Sequence, residues 1–134
     1  MIIETFLRWA DKAKSSERAK AANALARAWL HSEMDERERQ AAFMALTWLL
    51  DDPSPHVRLA LAEALADAAD APRSLILPLA EDQPDIACQI IARSPVLTEV
   101  DLVELAARGD AITRALIASR FIVSPPVCAA IAEI

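Results

Sequence analysis

Asp51-Asp52-Pro53-Ser54-Pro55-His56-Val57-Arg58-Leu59-Ala60-Leu61-Ala62-Glu63-Ala64-Leu65 reads as the end of one helix and the start of another. Pro53 and Pro55 each lack an N–H and fix φ, so a helix filling residues 35–50 must stop before them. Ser54 offers a hydroxyl as N-cap, and Pro55 suits the first helical position, where a missing N–H costs nothing. From there Val57, Ala60, Leu61, Ala64, Leu65 and Ala68 form the apolar stripe of an amphipathic helix. Alanine in that stripe lets a neighbouring axis approach closely, and leucine fills the grooves between ridges.

Similar punctuation recurs along the chain. A helix over 2–13 has Ile3, Phe6, Leu7 and Ala10 inward, flanked by Ile2, Trp9 and Ala13. Lys14-Ser15-Ser16-Glu17 breaks it, with Ser15 or Ser16 as cap for a helix over 17–31. Ser32-Glu33-Met34-Asp35 has the form of a capping box for the third helix. The second half of that helix, Ala41 to Leu50, is apolar on nearly every side, which predicts a helix buried at the centre of the N-terminal half. Then come a short helix over 74–80 containing Pro78, and helices over 86–92, 100–107, 111–121 and 127–134. Thr98 is expected to cap one of them with Asp101, and Gly109 to close it in the left-handed conformation.

Composition agrees with an all-helical chain: 54% of residues are hydrophobic, there is a single Gly and there is no Tyr. A sheet protein needs more β-branched and aromatic residues and more turn glycines. The length suits one domain, residues 1–134, able to bury a real core. The net charge of −6 argues against the uniform basic face that duplex nucleic acid demands. Charge is uneven, however: residues 1–39 sum to +1 and the remainder to −7. No apolar run reaches membrane-spanning length and the N-terminus has no leader pattern, so a cytoplasmic protein without a membrane role is expected. Cys88 and Cys128 lack partners at metal spacing and are expected to be buried, reduced thiols.

The central stretch resembles the first helix of a HEAT repeat, in which an Asp/Pro turn precedes Val-Arg and an Ala/Leu run. More loosely, the whole chain is similar to an uncharacterised, chiefly alphaproteobacterial family of helical-pair domains of unknown function. The resemblance implies an irregular right-handed α-solenoid of eight or nine short helices in antiparallel pairs, and supplies no activity. Val57, Ile86 and Ile112 open comparable helices fewer than 30 residues apart, short against the roughly 40–47 residues of HEAT or armadillo units. The apolar end, Val127 to Ile134, is expected to be covered by a second copy or by further repeats of a longer protein.

Candidate sites are sparse. His31 and His56 stand at helix ends, and nothing near them supplies the converging ligands of a zinc site or a nucleophile with its base. No catalytic residue, metal or cofactor is therefore expected. The acidic turns at Asp51/Asp52, Asp67/Asp70 and Glu81/Asp82/Asp85 suit helix capping, or a strip that receives a basic partner segment. Asp52 with Arg58 resembles the Asp–Arg ladder that ties HEAT repeats together. Arg8, Lys12, Arg18, Lys20 and Arg27 are the only basic concentration; HEAT-like DNA glycosylases bind DNA through such helices, but here acids are interleaved. Trp9, Trp29 and Trp48 are expected in the core. The leading expectation is a non-catalytic scaffolding module that holds a partner peptide or helix in a concave groove. Its contact residues are drawn from Arg8, Lys12, Asp52, Arg58, Asp82 and Asp85, with a protein partner or a second copy as occupant. Nucleic-acid binding by the basic N-terminal helices is the alternative.

Overall fold

The computed structural model describes residues 2–120 and 123–132; the side chain of Ile2 and the expected helix ends at Phe121 and at residues 133–134 lie outside the described residues. Among the described residues the protein is all-α, with nine helices and no strand. They are α1 (Ile2–Lys12), α2 (Ser15–His31), α3 (Glu36–Leu49), α4 (Pro55–Leu65) and α5 (Arg73–Ala80), followed by α6 (Pro84–Arg93), α7 (Glu99–Arg108), α8 (Ala111–Ala118) and α9 (Pro125–Ala132). The even-numbered helices lie side by side in chain order, α2 on α4 on α6 on α8. On the other side α1 packs on α3, α3 on α5, and α7 on α9.

The central helix is α4, not α3. Val57, Leu61, Ala62, Leu65 and Ala66 are all fully buried, and α4 touches α2, α3, α5 and α6. Helix α3 is one-sided: Ala42, Ala45, Leu46 and Leu49 face the core, while Met44, Thr47 and Trp48 face water. The apolar run at 41–50 therefore overstated burial, because its outer face carries large apolar side chains where charge is usual.

Side-chain caps mark the starts of α3, α7 and α8. Ser54 is the N-cap of α4 but its hydroxyl makes no capping bond, and the N-cap of α2 is Lys14, not Ser15 or Ser16 as expected. Asp35 and Glu38 form a reciprocal capping box at α3, three residues beyond the Ser32 expected. Thr98 and Asp101 form the one anticipated at α7. Gly109 does not adopt the left-handed conformation; its φ is −83°. Glycine is demanded there by contact, since a Cβ would sit 2.6 Å from the Leu105 carbonyl oxygen and from Thr113 Cβ. That close approach lets α7 turn directly into α8.

Candidate functional site

Arginine stands at one repeated place in the even row. Counting from each N-cap (Lys14, Ser54, Gln83 and Asp110), the fourth residue on is Arg18, Arg58, Ala87 and Arg114. In each case its N–H closes the first helical turn on the N-cap carbonyl. The side chains act alike where they can. Arg18 donates Nη1 to the Ala13 carbonyl, Arg58 to that of Asp52, and Arg114 to that of Gly109. Each guanidinium thus braces the loop leading into its own helix.

Two of these arginines also reach forward to the next even helix. Arg18 donates Nε and Nη2 to Asp52 at 2.9 and 3.2 Å, and Arg58 does the same to Asp82 at 2.8 and 3.3 Å. Each aspartate simultaneously accepts the backbone N–H of the next N-cap residue, Ser54 or Gln83. Asp52 is buried, and its bond holds the Arg18 pKa above the usual value. The expected Asp52–Arg58 relationship is therefore split. Arg58 meets the backbone of Asp52, while the Asp52 carboxylate belongs to Arg18 and the Arg58 fork to Asp82.

The rung is missing between α6 and α8. Ala87 replaces the arginine, and the positions before the α8 N-cap are Arg108 and Gly109 instead of an aspartate. Helices α6 and α8 meet over less of their length than α2 and α4, and a cleft of about 350 Å³ opens there. Its apolar wall includes Ala87, Ile91, Leu105 and Leu116, with Ile112 at the mouth at 64% exposure. Its rim carries Glu81, Asp82, Asp110 and Arg108. Arg108 bonds Glu81 at 3.0 Å, and Asp110 is held below the usual carboxylate range by the Thr113 backbone N–H it caps.

Polar clasps flank the cleft, alongside the apolar core that continues through Ile90, Ile91 and Ile117. From α5, Arg73 makes a two-pronged bond to Asp101 of α7 at 2.6 and 3.0 Å, which with the Thr98 N–H holds Asp101 down at about 2. Arg120, just after α8, donates to the Ile91 and Ser94 carbonyls at the C-terminus of α6. Burial pushes the Arg120 pKa down.

The six anticipated contact residues do not form one site. Asp52, Arg58 and Asp82 are joined in the ladder. Asp85 is exposed and accepts a bond from Gln83 Nε2. Arg8 and Lys12 project from the exposed side of α1, which packs chiefly on α3. The thiols also differ from expectation: Cys88 is half-buried and Cys128 exposed, because each stands beside a buried position of its short helix and not on it. Trp9 and Trp48 are 41% exposed, with Phe6 between them at ring distances of 5.9 and 6.4 Å. Trp29 is half-buried beneath the Arg39 guanidinium. Among the described residues no three His, Cys, Asp or Glu side chains converge in metal-binding geometry, and no helix is long and apolar enough to cross a membrane.

Fold and site define an all-helical protein whose neighbouring helices are tied by Arg–Asp forks and parted at one seam. The bacterial family described as "Uncharacterised protein conserved in bacteria (DUF2336)" matches residues 86–134, from the first buried residue of α6 onward. Neither the curated proteins nor the solved structures give a match.

Proposed function

We propose that the protein is a non-catalytic binding module, a HEAT-like right-handed solenoid of short helix pairs that takes a partner peptide between α6 and α8. The observation that carries this reading is the coincidence of the absent rung with the open cleft. Arg18 and Arg58 clamp α2 to α4 and α4 to α6 through their forks, though a shallow hollow also lies over α2 and Ala60 of α4. At Ala87 no fork forms, and the trough between α6 and α8 has an apolar wall. On the rim Asp82 is already held by the Arg58 fork and Glu81 by Arg108, while among the described residues no cation meets Asp110. That one carboxylate favours a segment with a single Lys or Arg beside an apolar residue. Nucleic-acid binding loses support from the commitment of Arg18, one of the five basic side chains in that stretch, to Asp52.

Selection from a displayed random-peptide library tests the proposal. Ile112 is exposed, so Ile112→Lys leaves the fold intact while placing a cation at the cleft mouth. Enriched peptides should share a basic residue next to an apolar one and bind Ile112→Lys about tenfold more weakly. Peptides without a common pattern, or equal binding by the variant, would refute the cleft as the site.

A further inference from the structure

Helix α8 carries the same seat that α2 uses to hold α4. The fourth, fifth and eighth positions after the N-cap are Arg18, Ala19 and Ala22 in α2 and Arg114, Ala115 and Ala118 in α8. In α2 the seat is occupied: Ala22 is fully buried, Ala19 packs against the core, and Asn23 of the same helix donates to the Ala60 carbonyl of α4. The eighth position is likewise buried in α4, as Ala62, and in α6, as Ile91. In α8 alone the seat is open, with Ala115 and Ala118 both exposed. Arg114 is already braced on the Gly109 carbonyl at 2.8 Å, as Arg18 is on Ala13. Among the described residues no carboxylate meets the rest of its fork.

We propose that this face of α8 docks a helix of a partner polypeptide that carries an aspartate one or two residues before its N-cap. The register comes from the two complete rungs. Asp52 stands two residues before the N-cap Ser54 and Asp82 one before Gln83, and each accepts both the fork and the N-cap N–H. Two short alanines ask for a close-packed helix, not an extended strand or a bulky side chain. A second copy of this chain added in register does not meet the requirement. The corresponding positions before its α2 are Lys12 and Ala13, which would set a cation opposite Arg114. This surface is separate from the α6–α8 cleft.

The test uses the chain's own Asp-led helix as probe: a fluorescent, helix-stapled peptide copying residues 51–66, titrated by anisotropy against the whole protein. Saturable binding is expected. Arg114→Gln in the protein or Asp52→Asn in the peptide should each weaken it about tenfold, as for a lost charged hydrogen bond. The two together should weaken it no further, because they remove one contact. Ala118→Glu, on an exposed alanine that leaves the fold intact, should abolish it. Absence of saturable binding to wild type, equal binding by Arg114→Gln, or loss with Arg18→Gln instead would overturn the proposal.

Discussion

Arg18 grips Asp52 across thirty-four positions of sequence, with Nε at 2.9 Å and Nη2 at 3.2 Å from the two carboxylate oxygens. Asp52 spends its remaining capacity on the Ser54 N–H, so one buried side chain fixes both the spacing of α2 from α4 and the start of α4. Removing it leaves a half-buried guanidinium without its anion and a helix start without its cap.

Asp52→Ala should therefore destabilise the fold by about 2–4 kcal/mol, measured by urea denaturation. A double-mutant cycle with Arg18→Met should give a coupling well above that of surface pairs, which sit near ~0.5 kcal/mol. Additive effects would mean that the fork contributes nothing beyond its two separate parts.

The clasp between α5 and α7 sets an acid limit. Asp101 is held at about 2, below its ordinary 3.8, chiefly by Arg73. A depressed carboxylate adds stability that is complete above the unfolded value and is lost as pH falls from about 4 toward 2. Because Arg73 is half-exposed, the contribution should stay near 1 kcal/mol. Wild type should lose more stability than Asp101→Asn between pH 5 and 3 in thermal melts; parallel curves would contradict the assignment.

Arg120→Met should cost about 2 kcal/mol, since it strips the Ile91 and Ser94 carbonyls of their charged donor. The loss should be local first. Amide hydrogen exchange should speed up in α8 and at the end of α6 while α2 and α4 stay protected. Uniform acceleration would mean that α8 is not the separable element.

Gly109→Ala should destabilise by about 1–3 kcal/mol through overpacking, with no contribution from backbone conformation. The added Cβ meets the Leu105 carbonyl oxygen as well as the Thr113 side chain. Thr113→Ser in the same chain should recover only part of the loss, as read from melting temperature. Full recovery would place the whole clash on the threonine methyl.

The tryptophans should divide by exposure. Iodide should quench Trp9 and Trp48 and leave Trp29 protected, as resolved with single-tryptophan variants. Equal quenching of all three would contradict the half-buried placement of Trp29.

Element order was legible because proline or acidic turns punctuate the chain at every helix boundary after the α1–α2 junction, and Pro55 and Pro84 sit at first helical positions. The Thr98–Asp101 box was legible because capping is local chemistry. Burial was harder. Met44 and Trp48 lie four apart beside the true core stripe of Ala42, Ala45, Leu46 and Leu49, and apolar residues on both sides of α3 blurred its period. The series Val57, Ile86, Ile112 slipped by one residue in the last helix, where Thr113 takes the equivalent place and Ile112 turns outward. The ladder partners could not be read from proximity in sequence, since each fork spans an intervening helix. Yet the fourth-position arginine was visible once the N-caps were fixed, and its replacement by Ala87 was the one signal in the sequence for the cleft.

The cleft itself is tested most directly by amide chemical-shift mapping of the isotope-labelled protein as a selected basic–apolar peptide is added. Shifts should concentrate at residues 80–91 and 105–116, the two walls between α6 and α8, and vanish with Ile112→Lys. Shifts confined to α1 and α2, or matched by duplex DNA at the same sites, would contradict a peptide-binding cleft and favour the basic N-terminal helices instead.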